Sequence, residues 1–393
     1  MSYFSVPCVI NMYDPNIMNI KFTTESSDVI ITPSLSIFLT ALKLNIDNIL
    51  FDWDIYKKYT NSYEYIHSVV PGTKLSISKL APISRSFYKL VEIYNILYLS
   101  DELPRTQKSF HLAEGPGGFI EAMIFLRNNS GDTYHGMTLL DPDSNIPGWE
   151  KNPNLFKHSN VIIEKGADGT GNLFNWENLL FCYEKYNGTM DLITGDGGFD
   201  YSIDFNKQES LSIKLILSQI TFAIAMQKKG GTLILKIFDV FTQATIDILY
   251  LLANIYTNIT MIKPFTSRSA NSERYIICKK FKLDNVDDIL HRLYPIFDVE
   301  NINKNISSIL DVKVPYFFFN KIEEYNVMLG HQQMENISIT LNLIKTKKKE
   351  KIENLKKNNI QKCILWCQKN GVPCNKGTRN MNIFLDELSN NLI

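Results

Sequence analysis

Two charged residues lie in or at the end of apolar runs of the sequence. Lys236 lies within the run LILKIF, and Asp196 closes the run DLITGD directly before two glycines. A charge inside an apolar strand is costly unless it is paired. A lysine in such a place can accept a proton if burial or nearby positive charge lowers its pKa from about 10.4. The pattern therefore indicates either a proton-transfer site or a structural ion pair, and the glycines after Asp196 also fit a plain turn.

A glycine-rich turn is the second chemical feature. The stretch HLAEGPGGFIEAM, residues 111–123, places a turn between a strand-like run and a helix-like run. Such a turn lets backbone approach a nucleotide, while the helix that follows presents free N–H groups. The spacing Gly115, Gly117, Gly118 does not meet the dinucleotide pattern G-x-G-x-x-G, and there is no phosphate-binding G-x-x-x-x-G-K-[ST]. A nucleoside ligand without phosphates is therefore favoured over a pyrophosphate.

Strand-like and helix-like segments alternate between about Gln107 and Phe281, and this order must position both features. Alternation of this kind predicts a parallel sheet, in which ligands bind beyond the carboxyl ends of the strands. A helix is predicted at about 79–99, ahead of the first strand. The predicted strands are KSFHLA, YHGMTL, VIIEKG, DLITGD, GGTLILKIF, ITMIKPF and ERYIICKKF, and the later helices are GGFIEAMIFLRN, KQESLSIKLILSQITFAIAMQKK and TQATIDILYLLANIY.

Taken in order, the motifs resemble the FtsJ-like ribose 2′-O-methyltransferases, most closely their cap-specific mRNA branch. The resemblance spans about residues 80–281 and is carried by GPGGF, GADGTGNLFNWENL, DLITGDGGFD, GGTLILKIFD and SRSANSERYIICKKF. It implies a Rossmann-like α/β methyltransferase fold with helices on both faces of a seven-stranded, mostly parallel sheet. The last strand, at 274–281, is expected to be antiparallel.

The resemblance also implies S-adenosyl-L-methionine as cofactor, held over the glycine turn with Asp168 at the adenine amino group. The chain departs from the family at His111, where an acid is usual, and at Asn172, where an Asp is usual; Glu114 is the candidate replacement for the first. The cofactor-binding residues predicted on this basis are Glu114, Gly115, Pro116, Gly117, Gly118, Phe119, Thr138, Asp168 and Asp196.

The family's catalytic Lys-Asp-Lys-Glu tetrad can be supplied in chain order by Lys89, Asp196, Lys236 and Glu273. The resemblance implies that Lys236 takes the proton of the ribose 2′-hydroxyl. Asp196 and Glu273 would hold that lysine, while Lys89 would lower its pKa and bind substrate. Two alternatives remain open here, because Lys79 lies near Lys89 and because Glu273 could instead pair with Arg268 or Arg274.

An RNA substrate follows from 2′-O-methylation, since DNA lacks the hydroxyl. Arg85 and Arg268 are predicted to bind RNA, and Lys263 and the late lysines are further candidates for backbone contacts. The favoured reaction is methylation of the first transcribed nucleotide of capped mRNA, which forms cap 1. Three alternatives stay open: a ribosomal RNA methyltransferase, a non-catalytic RNA-binding or polymerase-associated subunit, and, disfavoured by the glycine spacing, a nicotinamide-dependent oxidoreductase. Other capping or transcription proteins are conceivable partners.

The composition of the chain limits its possible partners, location and metal content. The 393 residues carry 41 basic and 41 acidic side chains, which argues against indiscriminate coating of nucleic acid but not against a local basic groove. No signal peptide or membrane span is expected, so we predict a soluble, intracellular protein. No metal site is expected either, because Cys363, Cys367 and Cys374 lack a paired motif and a nearby histidine.

The chain is predicted to divide into an N-terminal flank (1–75), a methyltransferase domain (76–283) and a mostly helical, lysine-rich extension (284–393). Residues 341–380 hold eleven Lys or Arg against two Glu. This segment is predicted to be either a solvated helix or one that faces RNA.

Overall fold

An eight-stranded sheet forms the centre of the protein. The computed structural model describes residues 2–9, 14–25, 27–140, 148–198 and 208–375. The strands of the main sheet are β1 (Ser2–Val6), β3 (Lys108–Leu112), β4 (Thr133–Met137), β5 (Val161–Ile163), β6 (Met190–Gly195), β7 (Gln227–Ile237), β8 (Tyr256–Lys263) and β9 (Arg274–Phe281). Their order across the sheet is β1-β8-β9-β7-β6-β3-β4-β5.

The predicted fold class is confirmed by the directions of these strands. β5, β4, β3, β6 and β7 run parallel to one another, and β9 lies antiparallel between β7 and β8. The predicted number of seven strands is wrong by one. The eighth is β1, which pairs antiparallel with β8 at the edge. Its five residues show too little periodicity to be predicted as part of this sheet.

Helices cover both faces of the sheet, as predicted. One face carries α6 (Trp176–Tyr186), α7 (Gln208–Met226) and α8 (Gln243–Ile255) around one large apolar core. The other face carries α3 (Ser86–Ile96), α5 (Gly118–Arg127) and α11 (Lys349–Lys369) around a second core. This arrangement leaves the carboxyl ends of the parallel strands for the site.

The two flanks pack against each other as well as against the central part. β2 (Met18–Thr23) and β10 (Asn305–Leu310) form a separate antiparallel pair. The remaining helices are α1 (Pro33–Asp47), α2 (Leu50–Thr60), α4 (Leu99–Glu102), α9 (Asp287–Leu293) and α10 (Tyr316–Thr346). α10 packs against α1 and α2, where a third apolar cluster forms. The division at residues 75 and 283 stays a prediction.

The helix predicted at about 79–99 begins later, at Ser86. The residues before it are held in extended pairing with the far end of the chain: the Lys79 N–H donates to the Pro373 carbonyl over 2.8 Å, and Ser78 forms a bridge with Cys374. These contacts join residues almost 300 positions apart and override the local helix preference of residues 79–85. The sequence pattern could not reveal such distant contacts.

Helix α7 is long and apolar enough to cross a membrane by length and composition alone. In the fold, 83% of its apolar window is buried inside the protein. Its side chains fill the core beneath β6 and β7, so its apolar character has a packing explanation.

Candidate active site

Lys236 and Asp196 meet at the carboxyl edge of the sheet. Lys236 lies one residue before the end of β7, and Asp196 directly follows β6, its parallel neighbour. The lysine Nζ lies 3.2 Å from Asp196 Oδ1 and donates to the Asp196 carbonyl oxygen over 2.6 Å. Both side chains are nearly buried, with 12% and 14% of their surface exposed. The predicted pair therefore forms, and this contact alone is compatible with either a proton-transfer role or a structural one.

Lys89 and Glu273 form a second buried pair. Lys89 Nζ, on α3, donates to Glu273 Oε2 over 2.7 Å, and Glu273 is the residue before β9. Burial alone would raise the pKa of Glu273, but the charges of Lys89, Lys236 and Lys263 hold it well below its ordinary range. Among the described residues, Glu273 Oε1 has no hydrogen-bond partner. One carboxylate oxygen is thus satisfied by Lys89, while the other is buried without a donor.

Neither alternative for these residues is seen in the structure. Lys79 is exposed, whereas Lys89 is buried. Arg268 pairs with Glu64 rather than with Glu273, and Arg274 Nη2 lies 3.7 Å from Asp239 Oδ1.

Tyr275 joins the two pairs, and the sequence analysis gave it no role. Its hydroxyl donates to Asp196 Oδ1 over 2.7 Å, and Lys89 Nζ lies 6.0 Å from the centre of its ring. Burial, followed by the charge of Asp196, raises the pKa of Tyr275, so the hydroxyl stays a donor at neutral pH. The signal was present in the sequence, because Tyr275 is the tyrosine of the closing motif SRSANSERY.

Two glycines of the turn are required by the packing of the protein around them. Gly117 has φ +107°, and a Cβ there would lie 2.8 Å from Leu155 Cδ2. A Cβ on Gly118 would overlap the hydroxyl of Ser86 at the start of α3. Close approach of α3 and α5 therefore requires Gly118, a reason that the turn pattern alone did not disclose.

Glu114 lies inside this turn rather than at its open side. Its carboxylate Oε1 accepts hydrogen bonds from the N–H groups of Phe119 and Ile120, over 2.6 and 3.1 Å, at the start of α5. The side chain is 4% exposed, and burial raises its pKa well above the ordinary value. Glu114 thus caps α5, and its predicted contact with a cofactor remains a prediction. His111 is fully buried, and its ring nitrogens contact the hydroxyls of Ser109 and Thr194.

Asp168 lies in a loop that packs against the end of β4. A Cβ on Gly171 would overlap the carbonyl oxygen of Thr138, so loop and strand end meet backbone to backbone. Asp168 Oδ1 accepts from the N–H and hydroxyl of Thr170, and Oδ2 accepts from Asn175 over 2.7 Å. Slight burial raises the pKa of Asp168, but these donors lower it to about 2. The carboxylate is ionised, and because the residue is exposed it still has acceptor capacity for a ligand.

The two arginines predicted to bind RNA both contact one buried carboxylate, Glu64, from the N-terminal flank. Arg268 Nη2 lies 2.9 Å from Glu64 Oε1, and Arg85 Nη1 lies 3.3 Å from Oε2. Burial alone would raise the pKa of Glu64, but the hydrogen bond from Arg268 and both positive charges hold it well below the ordinary value. The arginine side chains remain 25% and 36% exposed. Sequence reasoning missed Glu64, which is about 200 residues from Arg268.

Lys263, another candidate for RNA contact, is turned to the β8–β9 loop (residues 264–273). Its Nζ donates to the carbonyl oxygens of Asn271 and Glu273, over 2.7 and 2.8 Å. Burial lowers its pKa to about 7. Lys263 therefore supports the segment that carries Glu273.

A cleft of about 510 Å³ opens beside this loop, between α1, α2 and α10. We call it the α2 cleft. It is lined by Lys43, Ile46, Leu50, Trp53, Asp54, Lys57, Thr60, Asn61, Gln208, Arg268, Ser269, Ala270, Asn271, Ser272, Gln333 and Asn336. The loop residues 268–272 form one wall, so the α2 cleft directly adjoins Glu273.

Curated relatives of this chain are named as cap methyltransferases. The chain is 30% identical, over 304 residues, to "Cap-specific mRNA (nucleoside-2'-O-)-methyltransferase 1" of Dictyostelium discoideum, covering 72% of this chain and 39% of that protein. It is 31% identical to the Mus musculus protein of the same name, over 54% of this chain and 26% of that protein. An "Inactive cap-specific mRNA (nucleoside-2'-O-)-methyltransferase 1B" of Caenorhabditis briggsae is 28% identical over 60% of this chain and 29% of its own length.

The chain thus spans two fifths or less of the length of these relatives. Residues 82–281, just over half of the chain, match the family described as FtsJ-like methyltransferase. All five motifs that carried the resemblance, GPGGF among them, lie wholly within this range. The chain belongs to the FtsJ-like methyltransferase family.

Proposed function

We propose that this chain is an S-adenosylmethionine-dependent RNA 2′-O-methyltransferase that acts on the ribose of the first transcribed nucleotide of capped mRNA. The observation that carries the proposal is the gathering of Lys89, Asp196, Lys236 and Glu273 around Tyr275 at the carboxyl edge of the sheet. This is the edge at which α/β sheets bind ligands. The names of the relatives favour the cap as the substrate feature.

The loops that follow β3, β4 and β5 are where we place S-adenosylmethionine, the cofactor of this family. Gly117, with its positive φ, and Gly171, where a Cβ would overlap the Thr138 carbonyl oxygen, let these loops pack closely. Asp168 offers an ionised acceptor to an adenine amino group. When bound, the cofactor supplies a methyl group made electrophilic by the adjacent sulfonium.

Lys236 is the residue that would take the 2′-hydroxyl proton. Its Nζ is held by the carbonyl oxygen and the carboxylate of Asp196, which fixes its direction at the strand end. Tyr275 donates to the same carboxylate and so keeps Asp196 in place. Lys89, held by Glu273, supplies the second cation that orients the ribose or the adjoining phosphate. Positioning of this kind is what an in-line displacement requires.

The α2 cleft is where we place the 5′ cap. Its lining includes Trp53, which is 8% exposed, beside the loop that ends at Glu273. It also includes three cations that already pair with carboxylates: Lys43 with Asp239, Lys57 with Asp54 and Arg268 with Glu64. An aromatic ring suits a purine base, and cations suit the phosphates of the cap bridge. Because the cleft adjoins Glu273, a cap bound there would bring the next ribose toward Lys236.

RNA beyond the methylated nucleotide is proposed to follow basic residues. Arg85 and Arg268 keep part of their guanidinium surface exposed although both contact Glu64. The lysine-rich helix α11 packs beside the end of α2, with Asn359 Nδ2 donating to the Tyr59 carbonyl over 2.8 Å. Its lysines face outward and could neutralise RNA phosphates.

The test is transfer of a labelled methyl group to three RNAs of one sequence: 5′-capped, 5′-triphosphate, and capped with a 2′-O-methyl group already on the first nucleotide. We expect transfer to the first only. Equal transfer to the triphosphate RNA, or transfer confined to ribosomal RNA, would replace the substrate assignment with the ribosomal alternative. No transfer to any RNA, with S-adenosylhomocysteine still bound in calorimetry, would favour the non-catalytic alternative. Binding of NAD instead would favour the oxidoreductase.

A further inference from the structure

Helix α3, together with its N-cap residue Arg85, contacts the β8–β9 loop at three points on one side of the helix. Arg85, Lys89 and Glu92 are four and three residues apart, which places them on the same side of a helix. Arg85 Nη2 donates to the Thr266 carbonyl over 2.7 Å, and Lys89 Nζ donates to Glu273 Oε2 over 2.7 Å. The third residue, Glu92, has no place in the proposed tetrad.

Glu92 is a fully buried carboxylate whose oxygens both accept from the start of the β8–β9 loop. Oε1 accepts from the Phe265 N–H over 2.7 Å; Oε2 accepts from the Thr266 N–H over 3.0 Å and from the Thr266 hydroxyl over 2.8 Å. Burial raises the pKa of Glu92, and these donors oppose the rise. A charge is buried at high cost unless hydrogen bonds satisfy it, so the site is built around a carboxylate.

A glutamine could not reproduce these contacts. A carboxylate presents acceptors at both oxygens, whereas an amide turns an NH₂ group toward one of the donors. Phe265 and Thr266 lie just after β8 ends, where neither N–H has a strand partner. Without Glu92, Thr266, which is 4% exposed, would leave its N–H buried and unpaired.

The β8–β9 loop carries the residues on which the proposed site depends. Arg268, the wall of the α2 cleft, and Glu273 all lie on it. Lys263 supports its end, at Asn271 and Glu273, and Gln333 of α10 donates to Ala270 over 3.1 Å. Glu92 supports its beginning. Glu92 and Lys89 belong to one helix. The start of the loop is therefore held by the same helix that supplies Lys89, the partner of Glu273.

We propose that Glu92 is a positioning residue for methyl transfer, which holds the β8–β9 loop so that Glu273 meets Lys89 and the α2 cleft keeps its shape. This inference rests on the proposed function for its catalytic part. Misplacement of reacting groups by about 1 Å can cost on the order of 10²-fold in rate. Loss of the contact should therefore slow transfer even in protein that is folded.

The experiment compares Glu92→Gln with a matched control, Asp247→Asn. Asp247 is also fully buried and accepts from two backbone N–H groups, those of Ile309 and Leu310, over 2.8 and 3.2 Å, but it supports β10. Hydrogen exchange is measured peptide by peptide in both full-length variants. Glu92→Gln should accelerate exchange at 265–273. Asp247→Asn should change exchange little at 309–310, because both N–H groups there donate to the same oxygen, Oδ2, and an amide oxygen can take its place. Unchanged exchange at 265–273 in Glu92→Gln overturns the inference whether or not the chain methylates RNA.

The second measurement is single-turnover transfer to capped RNA, with S-adenosylhomocysteine affinity measured alongside. Glu92→Gln should lower the transfer rate about 10- to 100-fold with cofactor affinity within twofold of wild type. Asp247→Asn should leave the rate per folded molecule unchanged. A Glu92→Gln rate within twofold of wild type, or a loss equal to that of Asp247→Asn at matched stability, overturns the positioning role. A wild-type chain that transfers no methyl group refutes the proposed function instead, and the exchange result then decides the structural contact by itself.

Discussion

Lys236 is held by two different oxygens of one residue: its Nζ lies 2.6 Å from the carbonyl oxygen of Asp196 and 3.2 Å from that residue's Oδ1. The carbonyl contact fixes the lysine to the end of β6, and the carboxylate contact supplies charge. A purely structural ion pair and a proton-accepting lysine would share these contacts. The two roles predict different turnover for a variant that keeps the positive charge but does not release a proton near neutral pH.

The first prediction concerns that difference. Lys236→Ala should lower single-turnover transfer by about 10²–10⁴, the range that a positioned acid or base contributes, and should leave cofactor affinity nearly unchanged. Lys236→Arg should not restore the rate, because a guanidinium keeps its proton near neutral pH. Rates, melting temperature and cofactor affinity are measured on both variants.

Lys279→Ala is the matched control for Lys236. Lys279 is also 12% exposed and its Nζ contacts a carboxylate, Glu102 Oε1, and the carbonyl oxygen of Leu97, but it lies away from the site on β9. We expect it to lose stability and to keep its transfer rate. Wild-type-like turnover in a folded Lys236→Arg protein would end the general-base assignment.

The second prediction tests Tyr275. Tyr275→Phe removes the hydrogen bond to Asp196 and should cost about 1.5–3 kcal/mol in the free energy of unfolding, as for bonds to charged groups. Because Asp196 then has one fewer donor to hold it, transfer should fall about tenfold or more. The control is Tyr256→Phe, which removes another buried hydroxyl, bonded to Gln227 Oε1 over 2.6 Å far from the site. If both variants are less stable than wild type but keep its transfer rate, Tyr275 has only a structural role.

Local pattern was enough to predict the strands of the methyltransferase part, because apolar runs and glycine stops are local signals. The antiparallel direction of β9 came from the family resemblance. The approach of Asp196 to Lys236 was also predictable, since neighbouring parallel strands bring their ends together. Glu64 and Glu92 could not be found this way. Arg268 lies 204 residues beyond Glu64 and Phe265 lies 173 residues beyond Glu92, and no periodicity records a contact of that separation. Gly118 shows a further limit. The glycine-rich turn predicts that something lies close to the backbone, but it does not reveal that the close neighbour of Gly118 is the hydroxyl of Ser86.

The third prediction is a pH dependence of stability that comes from Glu64. The folded-state pKa of Glu64 is held below the ordinary value of 4.5, so its contribution to stability is present above pH 4.5 and is lost as the pH falls below it. Glu64→Gln should cost roughly 3 kcal/mol near pH 7, because Arg85 and Arg268 lose their buried partner. The melting temperature of the variant should also fall less steeply than that of wild type between pH 6 and pH 3.5.

The control for Glu64 is Asp311→Asn, which removes a carboxylate from an exposed pair with Lys21. It should leave the slope of melting temperature against pH nearly unchanged. A Glu64→Gln protein with the wild-type slope would show that the arginines do not depress the carboxyl group's titration.

The last prediction decides between a solvated and an RNA-facing lysine helix. Lys351, Lys362 and Lys369 are exposed on α11. Lys362 lies 11 residues and Lys369 lies 18 residues after Lys351, so at about 100° per residue all three fall within about 20° of one another around the helix axis. If this stripe contacts RNA phosphates, changing all three lysines to Gln should raise the KM for a long capped RNA and leave that for a capped dinucleotide unchanged. The slope of log affinity against log salt should fall by about 2, since each contact to single-stranded RNA contributes about 0.7. The control is a triple Gln variant at Lys21, Lys229 and Lys321, which are exposed lysines outside α11. Equal salt slopes in the two triple variants and in wild type would mean that α11 is only solvated.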